Sequence, residues 1–319
     1  MFKRIFIAFL AVLVSFCYQA RAAEGPFFGG PVGGTDIRNA YLPANSGFYG
    51  SLVGGSFWAS HSYNNDGNTN NSPKAHAYET IAAFGLMYVY PFHLFGGTLA
   101  SSLQESVGDA YISVNNRHDY YRGFGDLYAD VIVWSKYLGS PFGKPDNAKP
   151  GLPYGLTVKF AYSMMLPVGK YNTTQLQTTG KNVFIYIPNF AVTYLTGPNF
   201  MGDGLELSAH AFFDIVGHNS ATHYSTGPIY DIDGAITERI GRWQLGVQGY
   251  YARQWEDDVQ NNQIVAPDGK RLVVAAVGPI VAYDIPEWKA SVKFKVSLPV
   301  YSRNTLGIGR AFVVFTKAF

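Results

Sequence analysis

Charge is scarce in this chain. Asp, Glu, Lys and Arg make up 14% of its 319 residues, where a soluble domain carries about 25%. The ionic surface is therefore too thin for an ordinary soluble protein, and polarity comes mainly from Asn, Ser, Thr, Gln and Tyr. Cysteine is almost absent. The single one is Cys17, inside an N-terminal leader, so the rest of the chain can form no disulfide, thiolate metal site or thiol nucleophile. There is no basic run to favour nucleic acid as a partner. Beyond the leader no apolar stretch reaches the roughly 18 residues of a transmembrane helix. No long segment has a 3.6-residue period, and no glycine-rich phosphate loop opens a helix.

The leader is the first thing present. Residues 1–22 read MFKRIFIAFLAVLVSFCYQARA. Lys3 and Arg4 precede an apolar core from Ile5 to Phe16, and Ala20-Arg21-Ala22 forms a small-x-small cleavage pattern. This is the arrangement of a secretory signal peptide, with the cut expected after Ala22. Without Lys3, Arg4 and Arg21, the 24 basic residues fall to 21 against 22 acidic ones, close to neutral. Residues 23–46 are rich in glycine and proline. They read either as a flexible leader or as a segment folded back as a plug.

From residue 47 onward the dominant signal is alternation with period two. Leu205, Leu207, Ala209, Ala211, Phe213 and Ile215 alternate with Glu206, Ser208, His210, Phe212 and Asp214. Trp243, Leu245, Val247 and Tyr251 oppose Gln244, Gly246, Gln248 and Tyr250. Val292, Phe294, Val296 and Leu298 oppose Ser291, Lys293, Lys295 and Ser297. In 154–163 an apolar face is bracketed by Tyr154 and Tyr162, as between two aromatic belts. Twelve strand candidates follow, near 47–58, 76–90, 98–114, 123–138, 152–166, 182–194, 205–216, 228–238, 243–255, 271–284, 289–298 and 310–319. Pro188 predicts a bulge or break in the sixth. Connections alternate between long polar loops, such as 59–75, 115–122 and 299–309, and mostly shorter turns. Since only helices and closed barrels satisfy their backbone in hydrocarbon, the fold class predicted is all-β: a transmembrane antiparallel β-barrel of about 12 strands over residues 47–319. The chain ends on Phe319, with Phe315 in the same parity, which resembles the C-terminal signal read by the outer-membrane assembly machinery.

The polar face of these strands supplies the candidate channel lining: Asp126, Asp130, Lys159, Glu206, His210, Asp214, Gln244, Gln248, Lys293 and Lys295. Tyr128, Trp134 and Phe212 share that parity and would add aromatic surface. Lys295 is expected to tolerate truncation to alanine, as a residue on a wet wall. His218 and His223 match no standard metal-ligand spacing. His210 and Asp214 lie in a row along one strand rather than converging. No cofactor, metal site or catalytic group is expected, and the chain reads as a non-enzyme.

Five segments, in order, carry a family resemblance: GTDIRNAYLPANSGFY (34–49), GFGDLYADVIVWSKYLG (123–139), LPVGKYN (166–172), IPNFAVTYLT (187–196) and WQLGVQGYYARQWEDD (243–258). Together they resemble the outer-membrane family named for the meta-pathway of phenol degradation. The resemblance implies a barrel, a bacterial outer-membrane location and uptake of small organic molecules, aromatic compounds among them. The expected partners are outer-membrane lipid, a small solute and the assembly machinery. The alternative is a structural or interaction barrel with a filled lumen and partner-binding outer loops. An open lumen with a mixed polar lining separates the first reading from the second.

Overall fold

A computed structural model describes residues 32–70, 74–141, 143 and 145–319. The expected signal peptide, its predicted cut after Ala22 and Cys17 lie outside these residues. The chain forms twelve strand positions: β1 Gly47–Ser62, β2 Ala75–Leu94, β3 Gly97–Val114, β4 in two pieces (Arg117–Phe124 and Leu127–Gly139), β5 Gly155–Leu166, β6 Ile185–Leu195, β7 Gly204–Val216, β8 Ile229–Ile240, β9 Trp243–Gln254, β10 Val273–Ile285, β11 Ala290–Arg303 and β12 Leu306–Ala318. Each pairs antiparallel with its sequence neighbours. β1 pairs with β12 from Tyr49↔Ala318 to Ala59↔Ile308, which closes the sheet and leaves no edge.

Side-chain direction follows the alternation. Phe160, Leu207, Phe213, Val247, Phe294 and Val313 are exposed on the outer face. Their partners Glu206, Ser208, Gln244, Gln248, Lys295 and Ser297 are buried on the inner one. An apolar exterior around a polar interior is the inverse of a soluble protein and suits strands solvated by lipid. At the inner end, Trp243 lies against Tyr283 and Tyr88 against Phe48 and Tyr90. Such rings form the aromatic girdle of a membrane interface.

The loops set the geometry at each end. The β2–β3 turn has only two residues, Phe95 and Gly96, both at positive φ (50° and 73°). That is the demand of a tight hairpin whose twist matches its strands. The β11–β12 connection is likewise short, Asn304-Thr305. The long outer loop expected at 299–309 is therefore absent, because β11 and β12 continue beyond the lipid-type pattern. The loop expected at 115–122 is mostly strand too, since Arg117–Phe124 extends β4 against Val107–Val114.

Three local expectations fail for identifiable reasons. β6 runs unbroken through Pro188, which pairs with Tyr162 of β5. Its ladder to β7 passes from Tyr186↔Ile215 to Asn189↔Phe212 without a register shift, so the proline, with no N–H to donate, sits where that ladder has no pair. In β4 a bulge between Asp130 and Ile132 places Val131 and Ile132 both outward and inverts the parity beyond. Trp134 therefore stands outside, 5.9 Å from the Phe160 ring, and not in the lumen. Tyr154 precedes Gly155, whose φ of 116° breaks the extended pattern. Its ring is buried and its carbonyl accepts the Tyr137 hydroxyl, so it is no part of a lipid belt.

Candidate functional site

The segment before β1 enters the barrel and crosses it as a plug. Its course is fixed by backbone and side-chain bonds to the lumen wall. Arg310 donates to the Val32 carbonyl. Gly33 and Thr35 donate their N–H groups to the two oxygens of Asp233, at 2.7 and 2.8 Å. Further along, Arg38 N–H donates to Glu206 at 2.8 Å, Asn39 N–H to Ser208 at 3.0 Å and Ala40 N–H to Thr193 at 3.0 Å. Gly33 has φ 62°, and a Cβ there would sit 2.5 Å from the Tyr250 ring. Both the left-handed backbone and the close approach require glycine.

Asp36 is the ionic centre of the plug. Its carboxylate accepts Lys293 Nζ at 2.6 and 2.9 Å and Lys295 Nζ at 2.7 Å. Lys295 also donates to the Gly33 carbonyl at 2.7 Å. Burial opposes ionisation of Asp36, but the two ammonium groups outweigh it and hold the carboxyl below the usual carboxylate range. Arg38 forms a two-pronged bond to Asp284, 2.8 Å on each arm, and its Nε donates to Gln244 Oε1. Burial works against the Arg38 charge, but the Asp284 bond prevails and raises its pKa. Glu206, which receives the Arg38 N–H, is itself paired with Arg239 at 2.6 Å.

Four predicted lining residues thus hold the plug: Glu206, Gln244, Lys293 and Lys295. The expectation that Lys295 behaves as a wet wall residue is overturned, since it is 1% exposed and bonded to Asp36. Others brace the wall. Gln248 donates to the Val296 carbonyl and Ser297 Oγ. His210 Nε2 bonds Asn189 Oδ1 at 2.9 Å, and its ring lies 3.8 Å from that of Phe212. Asp214 is buried on the same face of β7. Asp130 accepts hydroxyls from Ser102, Ser163 and Tyr128, and Lys159 is half-buried on the lumen side of the neighbouring β5. Asp126 lies in the gap between the two pieces of β4 and accepts the N–H groups of Gly169 and Lys181, which pins the loop between β5 and β6. Phe315 pairs with outward Leu52, and Phe319 is exposed while its N–H donates to the Phe48 carbonyl.

Asp36, Arg38, Asp233, Asp284 and Arg310 escaped the sequence reading. The available signal was an Asp-x-Arg pair inside a glycine-rich segment, charges that would gain nothing in a free tail.

The plug bonds to β6–β12 and, through the Ala40 carbonyl, to Ser135 of β4, leaving space beside β1–β3. An inner cavity of about 690 Å³ lies between the plug residues Ile37, Tyr41 and Leu42 and the wall residues Ser51, Gly85, Met87, Gln104 and Asp130. An outer cavity of about 740 Å³ lies beneath the outer loops and is lined by Phe57, Ala59, Glu79, Tyr121, Gln177 and Lys181. No cluster of three or more His, Cys, Asp or Glu side chains suited to a metal occurs among the described residues.

No curated protein sequence matches the chain. In structure it is similar to an outer membrane channel from Pseudomonas putida F1, with a TM-score of 0.72 and 12% identity over 89% of this chain and 100% of that one. At this identity the likeness establishes the fold, a closed barrel of the outer-membrane type. The translocator domain of the autotransporter NalP from Neisseria meningitidis aligns over 88% of this chain and 91% of that one, at 10% identity and a TM-score of 0.46. A family model described as "Putative MetA-pathway of phenol degradation" matches residues 60–314, and the chain belongs to that family.

Proposed function

We propose that the protein is an outer-membrane channel for small organic molecules, aromatic compounds among them, narrowed by its own N-terminal segment. The observation that carries this reading is the pair of cavities, one toward each end of the barrel, on the side the plug leaves free. Their linings mix rings and aliphatic groups with many polar and charged side chains, Glu79 and Lys181 in the outer one and Asp130 and Lys293 in the inner one, so that a flat molecule with a polar group can meet both. Twelve strands enclose less than a 16- to 18-stranded porin, so small solutes pass and folded proteins do not. Family membership and the similar Pseudomonas channel support the same assignment. Export follows signal-peptide cleavage after Ala22, and a mature protein starting far from Ala23 would contradict it.

The plug's dense bonding favours a second reading, a structural barrel with a filled lumen. Planar-bilayer recording of the purified chain, with uptake of aromatic acids by cells carrying or lacking the gene, separates the two. Liposomes that swell no faster than empty ones, together with unchanged uptake, would leave the structural barrel in place.

A further inference from the structure

We propose that a row of side chains around Phe312 is the septum between the two cavities and sets which solutes cross; this rests on the channel reading above. The row runs across five strand positions in ladder register: Phe312 on β12 pairs with Gly55 on β1, Gly55 with Ile81 on β2, Ile81 with Gly108 on β3, and Gly108 with Gly123 on β4. Two large apolar side chains thus stand among three glycines. Two residues toward the outside on β1 and β2 stand Phe57 and Glu79, which line the outer cavity. Four residues toward the inside stand Ser51 and Gly85, which line the inner one.

Packing shows that the row is tightly fitted. A Cβ on Gly55 would lie 2.7 Å from the Phe312 ring and 2.9 Å from Ile81. The two side chains therefore close over Gly55, and only a residue without a side chain lets them meet. Phe312 is 9% exposed, and its ring meets that of Phe57 edge-on at 5.3 Å. Lys295 Nζ stands 5.5 Å from the Phe312 ring, and the Arg310 guanidinium 5.7 Å from the Phe57 ring. Both cations also hold the plug, Lys295 through Asp36 and Gly33, and Arg310 through Val32. The ring positions are thereby tied to a docked plug.

The chemistry of such a layer sorts solutes by desolvation. A polyhydroxylated solute sheds water here against a ring, an isoleucine and glycine backbone already committed to the sheet, and the few polar groups at the margin, Glu79 beside Gly108 and Arg310 beside Phe57, replace only part of its hydrogen bonds. An aromatic solute gains ring contacts with Phe312 and Phe57, and its flat shape fits over glycine.

The test compares benzoate with threonate, which share one carboxylate and differ in ring against hydroxyls. Their permeability ratio is read from reversal potentials of the full mature chain in planar bilayers. Phe312→Ala should raise conductance and lower the benzoate-to-threonate ratio by up to about tenfold. Ile81→Ala should move both in the same direction, while Phe294→Ala on the lipid face should move neither. Folding of each variant is checked by heat-modifiable migration, and Phe312→Leu carries the test where Phe312→Ala does not fold. A wild-type protein that conducts, with both measurements unchanged in the folded septum variants, overturns the septum and leaves the channel standing. A wild-type protein that passes neither ion removes the channel reading and the septum with it.

Discussion

Replacing Asp36 by asparagine removes one negative charge and leaves two ammonium groups facing each other in the lumen. The Asp36 side chain is 0% exposed, and those of Lys295 and Lys293 are 1% and 19% exposed. Breaking a buried ion pair from one side costs about 3–5 kcal/mol. If that loss falls on plug docking, the docked-to-released ratio drops by roughly 150- to 5000-fold. The assay is built into the plug, because Arg38 offers a tryptic site that docking encloses. When release and return are fast relative to cleavage, the cutting rate follows the released population. Trypsin admitted to the inner face should cut Asp36→Asn protein after Arg38 far faster than wild type, and mean conductance in bilayers should rise. Adding Lys295→Met, which removes one uncompensated cation and fills the space with an apolar chain, should restore part of the protection. Cutting rate and conductance equal to wild type in the single variant would refute the idea that this ion cluster holds the plug.

Acid should break the Asp36 cluster only below the normal carboxylate range. The folded pKa of Asp36 is depressed, so its contribution is fully present above the unfolded value of about 3.9 and is lost as pH falls through the lower folded value. The Asp36 contribution, read as the difference in Arg38 protection between wild type and Asp36→Asn, should hold from pH 7 to about 4, and a difference already lost by pH 5 would contradict this assignment. Val296→Arg places a cation on the lipid face and should lower folding stability by about 2–4 kcal/mol near the bilayer midplane, measured by urea-dependent folding into lipid vesicles. Deleting Phe319 removes the terminal ring and the N–H bonded to Phe48, and should reduce the heat-modifiable form in outer membranes; wild-type levels would exclude it from assembly.

The barrel was legible because lipid and lumen impose opposite demands on alternate residues. Leu207 and Phe294 face outward while Glu206 and Lys293 face inward, and period two records this directly. The reading failed where one residue was inserted into the ladder. Trp134 follows the bulge at Asp130–Ile132 and is turned outward by a shift that composition does not mark. The hairpin at Asn304-Thr305 escaped because strands continuing beyond the lipid lose their apolar alternation. Strand periodicity gives the direction in which a wall residue points and not what it touches. Glu206, Gln244, Lys293 and Lys295 meet a segment that precedes them by well over a hundred residues, and strand periodicity has no term for such a contact.

The plug's attachment points also constrain when it can dock. The described residues nearest the start of the chain bond to Arg310, 278 positions later, and Asp36 bonds to Lys293 and Lys295, 257 and 259 positions later. None of these sites exists until the last two strands have been made and paired. Contacts of such sequence separation form late, because loop closure precedes any reward. Yet β12 is also the strand that seals the wall by pairing with β1. The N-terminal segment must therefore be waiting inside an unsealed sheet, or thread in from the inner rim after sealing. In the first case it acts as an internal mould around which the final strands settle. Chains begun at residue 47 would then close more slowly than whole ones, even where the finished cylinders are equally stable.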